Sequence, residues 1–236
     1  MPKPRSRGVL ATIRFDTGRD GPAPCFDMTP KFFDPWAEIR HTANFLPHWQ
    51  QPGATYFVTF RLADAIPAAL RSQLETERAA WLRQHPRPWN AQTERDYHER
   101  FSGAVERWLD AGHGACALRD PAAAQVVANA LGFFDAQRHC HHAWVVMPNH
   151  VHALFSLHPE WSLEKVLHSW KSFTAHELAK RGVPTPLWQE DYFDRLVRDE
   201  KHYANCVRYI RRNPQKAHLK TGEFILFESA LAKGIE

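Results

Sequence analysis

Cysteine is scarce in this 236-residue chain, and what there is stands scattered. Cys25, Cys116, Cys140 and Cys206 form no Cys-x-x-Cys pair. That spacing excludes a zinc ribbon and a disulfide framework, and reduced thiols in a cytoplasm are the simplest reading. No apolar run approaches the roughly 20 residues that a membrane helix needs. The opening MPKPRSRG lacks the apolar core of a secretory signal. A soluble cytoplasmic protein with no membrane partner is therefore expected. Neither sign of charge dominates: 30 basic side chains face 26 acidic ones, and the pI is near 8.9. This mild surplus allows a polyanionic partner without demanding one. No internal repeat or low-complexity tract is visible. Histidine, by contrast, is plentiful, with 15 copies, and the apolar fraction of 44% is enough for a sizeable core.

Residues 1–47 read as an irregular extension, punctuated by Pro2, Pro4, Pro22, Pro24, Pro30 and Pro35. GATYFVTFRLAD is the first clear strand, aromatic and β-branched with period-two alternation. Helical patterns then fill residues 65–119. Asp120 and Pro121 are placed to cap a further helix. HHAWVVMP and NHVHALFSL read as two strands joined at Pro148-Asn149. Ser162 opens a long helix with Leu163, Val166, Leu167, Trp170 and Phe173 as its buried stripe. A short strand near residues 187–197 and a helix from about Asp199 to Arg212 follow, with Asn213-Pro214 as the stop. With residues 65–119 set aside, the order is βαββαβ. That predicts an α+β, ferredoxin-like antiparallel sheet with helices on one face. The predicted organisation is an extension (1–47), a core domain (48–220) with a helical insertion, and a C-terminal tail (221–236).

Inside the apolar run VVMPNHVHALF stand His150 and His152. Side chains at i and i+2 of a strand share a face, so the two imidazoles project together. Two neutral imidazoles suit a divalent ion. A solvated polar sheet face would carry the same pair. A zinc site drawing also on His139, His141 and His142 is a third reading.

AWVVMPNHVHAL resembles the HUH motif (histidine, bulky hydrophobic, histidine) of the single-tyrosine transposases, and more narrowly of the REP-associated tyrosine transposases. LPHWQQPGATYFVTFRLAD, LHSWKSFTAHEL and LWQEDYFDRLVRDEKHYANCVRYIRRNPQKAHL resemble further segments of that group, in its order. The resemblance covers roughly residues 46–220. It implies a metal-dependent enzyme that cleaves single-stranded DNA near palindromic hairpins and becomes joined to the 5′ phosphate through a tyrosine. His150 and His152 would hold Mg²⁺ or Mn²⁺, and single-stranded or hairpin DNA would be the partner. Tyr192, in WQEDYFDR, matches where the wider family carries its nucleophile; Tyr203 and Tyr209 are the other candidates, with Tyr209 read as a packing residue. In related single-tyrosine transposases a glutamine four residues after the tyrosine is the third metal ligand. Counted from Tyr192 that position is Leu196, which cannot ligate, leaving Glu190, Asp191, Asp194 or Asp199 as substitutes. The REP-associated members favour a monomer.

The segment from Arg195 onward is basic. Arg195, Arg198, Lys201, Arg208, Arg211 and Arg212, with Lys171 on the preceding helix, are candidate phosphate contacts. The competing class is a non-catalytic nucleic-acid-binding protein on the same fold. A water-using metallohydrolase is a third possibility; only the first reading requires a covalent adduct.

Overall fold

The computed structural model describes residues 29–43 and 47–236. Most of the expected N-terminal extension lies outside the described residues. What is described of it includes a two-stranded ribbon, β1 (Arg40–Ala43) against β2 (Pro47–Gln50). Strand β3 (Thr55–Arg61) follows as expected.

Residues 65–119 are helical: α1 (Ala68–Gln84), α2 (Ala91–Tyr97), a π-helical turn (His98–Ser102) and α3 (Gly103–Asp110). The two ends of this insertion meet. Asp64 accepts a hydrogen bond from Ala115 N at 2.7 Å. Gly114, at φ +84°, lies so close that a Cβ there would stand 2.6 Å from the Asp64 carbonyl oxygen. Only glycine combines that dihedral with that approach.

Helix α4 (Pro121–Gly132) starts as its sequence dictates, with Asp120 accepting from Ala122 N and Pro121 in the first turn. The hairpin β4 (His139–Val146) and β5 (His150–Leu157) turns through Met147–Asn149, closed by Met147 N donating to His150 O. Ser162 caps α5 (Leu163–Ala179). Strand β6 (Phe193–Leu196) leads to α6 (Glu200–Lys216), whose N-cap is Asp199. This helix runs past the expected stop. Pro214 is tolerated near its end, where Ala217 N still donates to Asn213 O. Residues 221–236, read from the sequence as a tail, hold strand β7 (Ile225–Glu228) and helix α7 (Ala230–Lys233).

The five-stranded sheet has the order β6-β3-β5-β4-β7, and every pair is antiparallel. Its first four strands are the ferredoxin-like set, and β7 extends the β4 edge. A β-bulge between His141 and Ala143 breaks the alternation of β4. His139 and His141 therefore face the same layer as Trp144, which their numbering alone forbids.

One sheet face presents Tyr56, Val58, Phe60, Val151, Ala153 and Phe155 to α4 and α5. The expected one-face arrangement holds for these two helices. Helix α6 lies on the other face, where Val207 and Ile210 pack against Phe57, Val145 and Leu154. Both faces are thus covered, which is why β4 and β5 are buried from end to end.

Candidate active site

His150 and His152 begin β5 and point to the α6 face. The strand is not half-buried, as an H-x-H on a sheet surface would be: the residues are 1% and 2% exposed. Their Nε2 atoms converge to 3.0 Å. Side chains around them fix which nitrogen carries the proton. Asn149 Oδ1, which can only accept, lies 2.7 Å from His150 Nδ1. Asn213 Nδ2, which can only donate, lies 3.3 Å from His152 Nε2. His152 Nδ1 in turn donates to Thr59 Oγ1, its cross-strand neighbour, at 2.7 Å. Both Nδ1 atoms are then protonated, and two Nε2 lone pairs face one another.

Protonation does not relieve that repulsion. Burial pushes His150 down to about 3, helped by the nearby positive charges of Arg61 and Lys216. Burial, His150 and Lys216 hold His152 well below its ordinary value. Two neutral imidazoles with outward-held Nδ1–H groups and convergent lone pairs could hold a divalent cation. Among the described residues no group of three His, Cys, Asp or Glu side chains could hold a metal. Any third protein donor would be of another kind. Asn213 also faces His150, and its Oδ1 is buried with no well-formed hydrogen bond.

The tyrosine beside this pair is Tyr209. Its ring centroid is 5.0 Å from that of His152 and 5.6 Å from that of Phe57. It is half-buried on α6, four residues before Asn213. Burial, together with the Glu106 and Asp110 carboxylates, raises its hydroxyl well above the usual phenol range. Tyr209 and Asn213 are four residues apart on one helix and so share a face.

Tyr192 is not brought to the pair. Phe193 is the cross-strand neighbour of Thr59 and shares the histidine face. Alternation sends Tyr192 to the opposite side, where it packs in the α4–α5 core with Tyr56 and Trp188. Leu196 is buried in the same core. Tyr203 sits on α6 but against His142, with ring centroids 5.3 Å apart. It is about 9 Å along the helix from Tyr209. The sequence signal for Tyr209 was the amide side chain four residues on, in Tyr-Ile-Arg-Arg-Asn.

Arg61 was missed altogether. It stands opposite His150 in the β3–β5 register, half-buried, with Nε donating to Gln189 Oε1 at 2.5 Å. Lys171, a candidate phosphate contact, instead donates to the Gln189 and Glu190 carbonyls, both at 2.6 Å. It anchors the loop that carries Gln189. Arg211 is likewise committed, to Glu228 and to the Ala232 and Ile235 carbonyls. Arg208 donates to the Glu236 carbonyl and to Asn205. Arg195 is half-buried beside His98. Arg198, Lys201 and Arg212 are exposed, Arg198 lying 3.8 Å from Glu94.

Residues 128–213 match the model of the IS200-like transposase family. That stretch runs from late α4 to Asn213 and holds the histidine pair and Tyr209. Over that stretch the chain is similar to the IS200-like transposases. Its insertion, residues 65–119, lies outside the matched region. A curated relative, the REP-associated tyrosine transposase of Escherichia coli (strain K12), is 28% identical over 97 residues. The match spans 39% of this chain and 57% of that relative. A solved structure of a REP-associated tyrosine transposase bound to a REP hairpin is 16% identical, covers 74% of each chain and has a TM-score of 0.38. No helix among the described residues is long and apolar enough to cross a membrane.

Proposed function

We propose that this protein is a metal-dependent DNA strand transferase that cleaves single-stranded DNA near palindromic, REP-like hairpins through a tyrosine on α6. The observation that carries the reading is the meeting of Tyr209 and Asn213 with the convergent Nε2 atoms of His150 and His152. Tyr209 replaces Tyr192 as the nucleophile. Counted from Tyr209, the position four residues on is Asn213, an amide like the glutamine of related single-tyrosine transposases. Asn213 would then supply the third ligand that Leu196 cannot.

His150, His152 and Asn213 Oδ1 would hold Mg²⁺ or Mn²⁺. When bound, such an ion polarises the scissile phosphate and offsets its charge. The chain's own groups do the rest. Tyr209 Oη attacks phosphorus, the P–O3′ bond breaks, and the 5′ phosphate stays on the tyrosine while a 3′ hydroxyl is released. Transesterification conserves the bond, so a 3′ hydroxyl can reverse the step. The half-buried Arg61 guanidinium adds a positive charge beside His150. Arg198, Lys201 and Arg212 offer exposed phosphate contacts. One chain supplies histidines, amide and tyrosine together, which supports action as a monomer. A cytoplasmic setting suits a protein acting on host DNA.

Covalent trapping tests this. Labelled hairpins from the DNA flanking the reading frame, with single-stranded arms, are incubated with protein and Mg²⁺ or Mn²⁺ and run on a denaturing gel. The expected result is an adduct lost in Tyr209→Phe and kept in Tyr192→Phe. The reverse pattern returns the nucleophile to Tyr192. Tight hairpin binding with no adduct at all favours the non-catalytic binding protein.

A further inference from the structure

If Tyr209 attacks phosphorus, its proton must go somewhere, and the histidine lone pairs face each other rather than the phenol. The insertion supplies an acceptor. Helix α3 presents Glu106 and Asp110, four residues apart and on one face. Both reach the end of α6. Lys216 Nζ lies 3.0 Å from Asp110 Oδ2 and 3.6 Å from Glu106 Oε2, and 6.0 Å from the centre of the Tyr209 ring. Asp110 takes the tighter ion pair. Glu106 is held more loosely by Lys216, and its carboxylate is one of the two whose charge raises the Tyr209 hydroxyl.

The placement of α3 is tied to the histidines. Asn149 Nδ2 donates to the Leu109 and His113 carbonyls, at 3.3 and 3.2 Å. Its Oδ1 accepts from His150. One asparagine thus sets a histidine tautomer and holds the helix that brings Glu106 to the tyrosine. This helix lies outside the IS200-like region.

We propose, resting on the reading of Tyr209 as nucleophile, that Glu106 is the catalytic base that takes the tyrosine proton. As the Oη–P bond forms, the proton passes from Oη to the Glu106 carboxylate. The P–O3′ bond breaks with its electron pair on O3′, which takes a proton from water. Glu106 then returns its own proton to solvent, so none is gained or lost overall. In the reverse step a protonated Glu106 gives its proton to the departing Oη.

The experiment compares wild type, Tyr209→Phe, Glu106→Gln and Glu106→Ala on the flanking-hairpin oligonucleotides with Mn²⁺, measuring single-turnover adduct formation and hairpin affinity. General bases typically contribute about 10²–10⁴-fold. Glu106→Gln is therefore expected to slow adduct formation about 100-fold or more, with hairpin affinity within about twofold of wild type. Added formate is expected to restore part of the rate to Glu106→Ala and none to Tyr209→Phe. Adduct formation by Glu106→Gln within about threefold of wild type, with Tyr209→Phe inactive, overturns the role of Glu106 and leaves the nucleophile standing. Loss of rate together with hairpin affinity, and no formate rescue, assigns Glu106 a structural role and also overturns it. No adduct from wild type removes both readings.

Discussion

Two His-x-His pairs sit on neighbouring strands, and they are built for opposite ends. His139 and His141 on β4, like His150 and His152 on β5, are buried, and burial holds both β4 rings, like that of His150, down at about 3. On β4 both Nε2 atoms approach a single acceptor, the Leu131 carbonyl at the end of α4, at 3.0 and 2.9 Å. Their rings pack on Trp170, with centroids 5.0 and 5.5 Å away. Those Nε2–H groups satisfy a carbonyl that the helix end would leave bare. On β5 the protons are held outward on Nδ1 and the Nε2 lone pairs converge. Spacing and burial are shared; what differs is which ring nitrogen finds an acceptor. On the proposed reading, the β5 pair is told from the β4 pair by the partners of its rings as much as by the rings themselves.

Truncating each pair in turn separates the two roles most strongly. His150→Ala or His152→Ala is expected to take adduct formation below detection while the protein still melts cooperatively. His139→Ala is expected to leave adduct formation measurable but to cost about 2–4 kcal/mol of stability, through a lost buried hydrogen bond and a cavity against Trp170. Denaturant melts beside the gel assay separate the two. A β4 variant that kills the adduct without destabilising the fold would erase the distinction.

Acid probes the structural set next. His139 and His141 are held at about 3 and His142 at about 4, chiefly by burial. These folded values lie below the unfolded value near 6.5, so the unfolded chain binds more protons as pH falls. Their contribution is fully present above pH 6.5 and is lost progressively down to about pH 3–4. At pH 5 the loss is roughly 2 kcal/mol for each, against a typical total of about 5–15 kcal/mol. Circular dichroism between pH 7 and 4 is expected to show unfolding that His142→Gln shifts to lower pH. A fold unchanged at pH 4 would mean that these rings reach water.

The smallest effect concerns Asn213. Asn213→Ala is expected to weaken Mn²⁺ binding by about 10–100-fold, the range typical for supporting groups of metal sites. Asn213→Gln should recover part of it. Titration calorimetry with Mn²⁺ reads this without DNA, and equal affinities would remove Asn213 from the site.

Much of this was legible in the residues. Alternation gave β3, β4 and β5, and Asp120, Ser162 and Asp199 marked helix starts by side chains that accept backbone protons. The shared face of His150 and His152 followed from strand period alone. Which tyrosine stands beside them did not. Tyr192 stands in a plausible local motif, but one step of strand phase decides its side of the sheet, and that phase is set by the pairing of Phe193 with Thr59. Arg61 was hidden for a related reason: its meeting with His150 depends on a register between residues far apart in the chain. Strand β7 is four residues long, too short for a periodicity to declare itself.

The bulge in β4 has a consequence for insertions and deletions. His142 is the supernumerary residue: His141 pairs with Phe155, Ala143 with Leu154, and nothing on β5 stands opposite His142. Its removal would leave a regular strand in which Trp144 and Val145 keep their partners and their faces. The loss would be two hydrogen bonds, one between His142 Nε2 and Ser156 Oγ and one that the His142 carbonyl accepts from Ser229 N, and one ring contact with Tyr203. Chains that differ from this one by a single residue in that strand would therefore align through a gap at His142, with the histidines of β5 undisturbed.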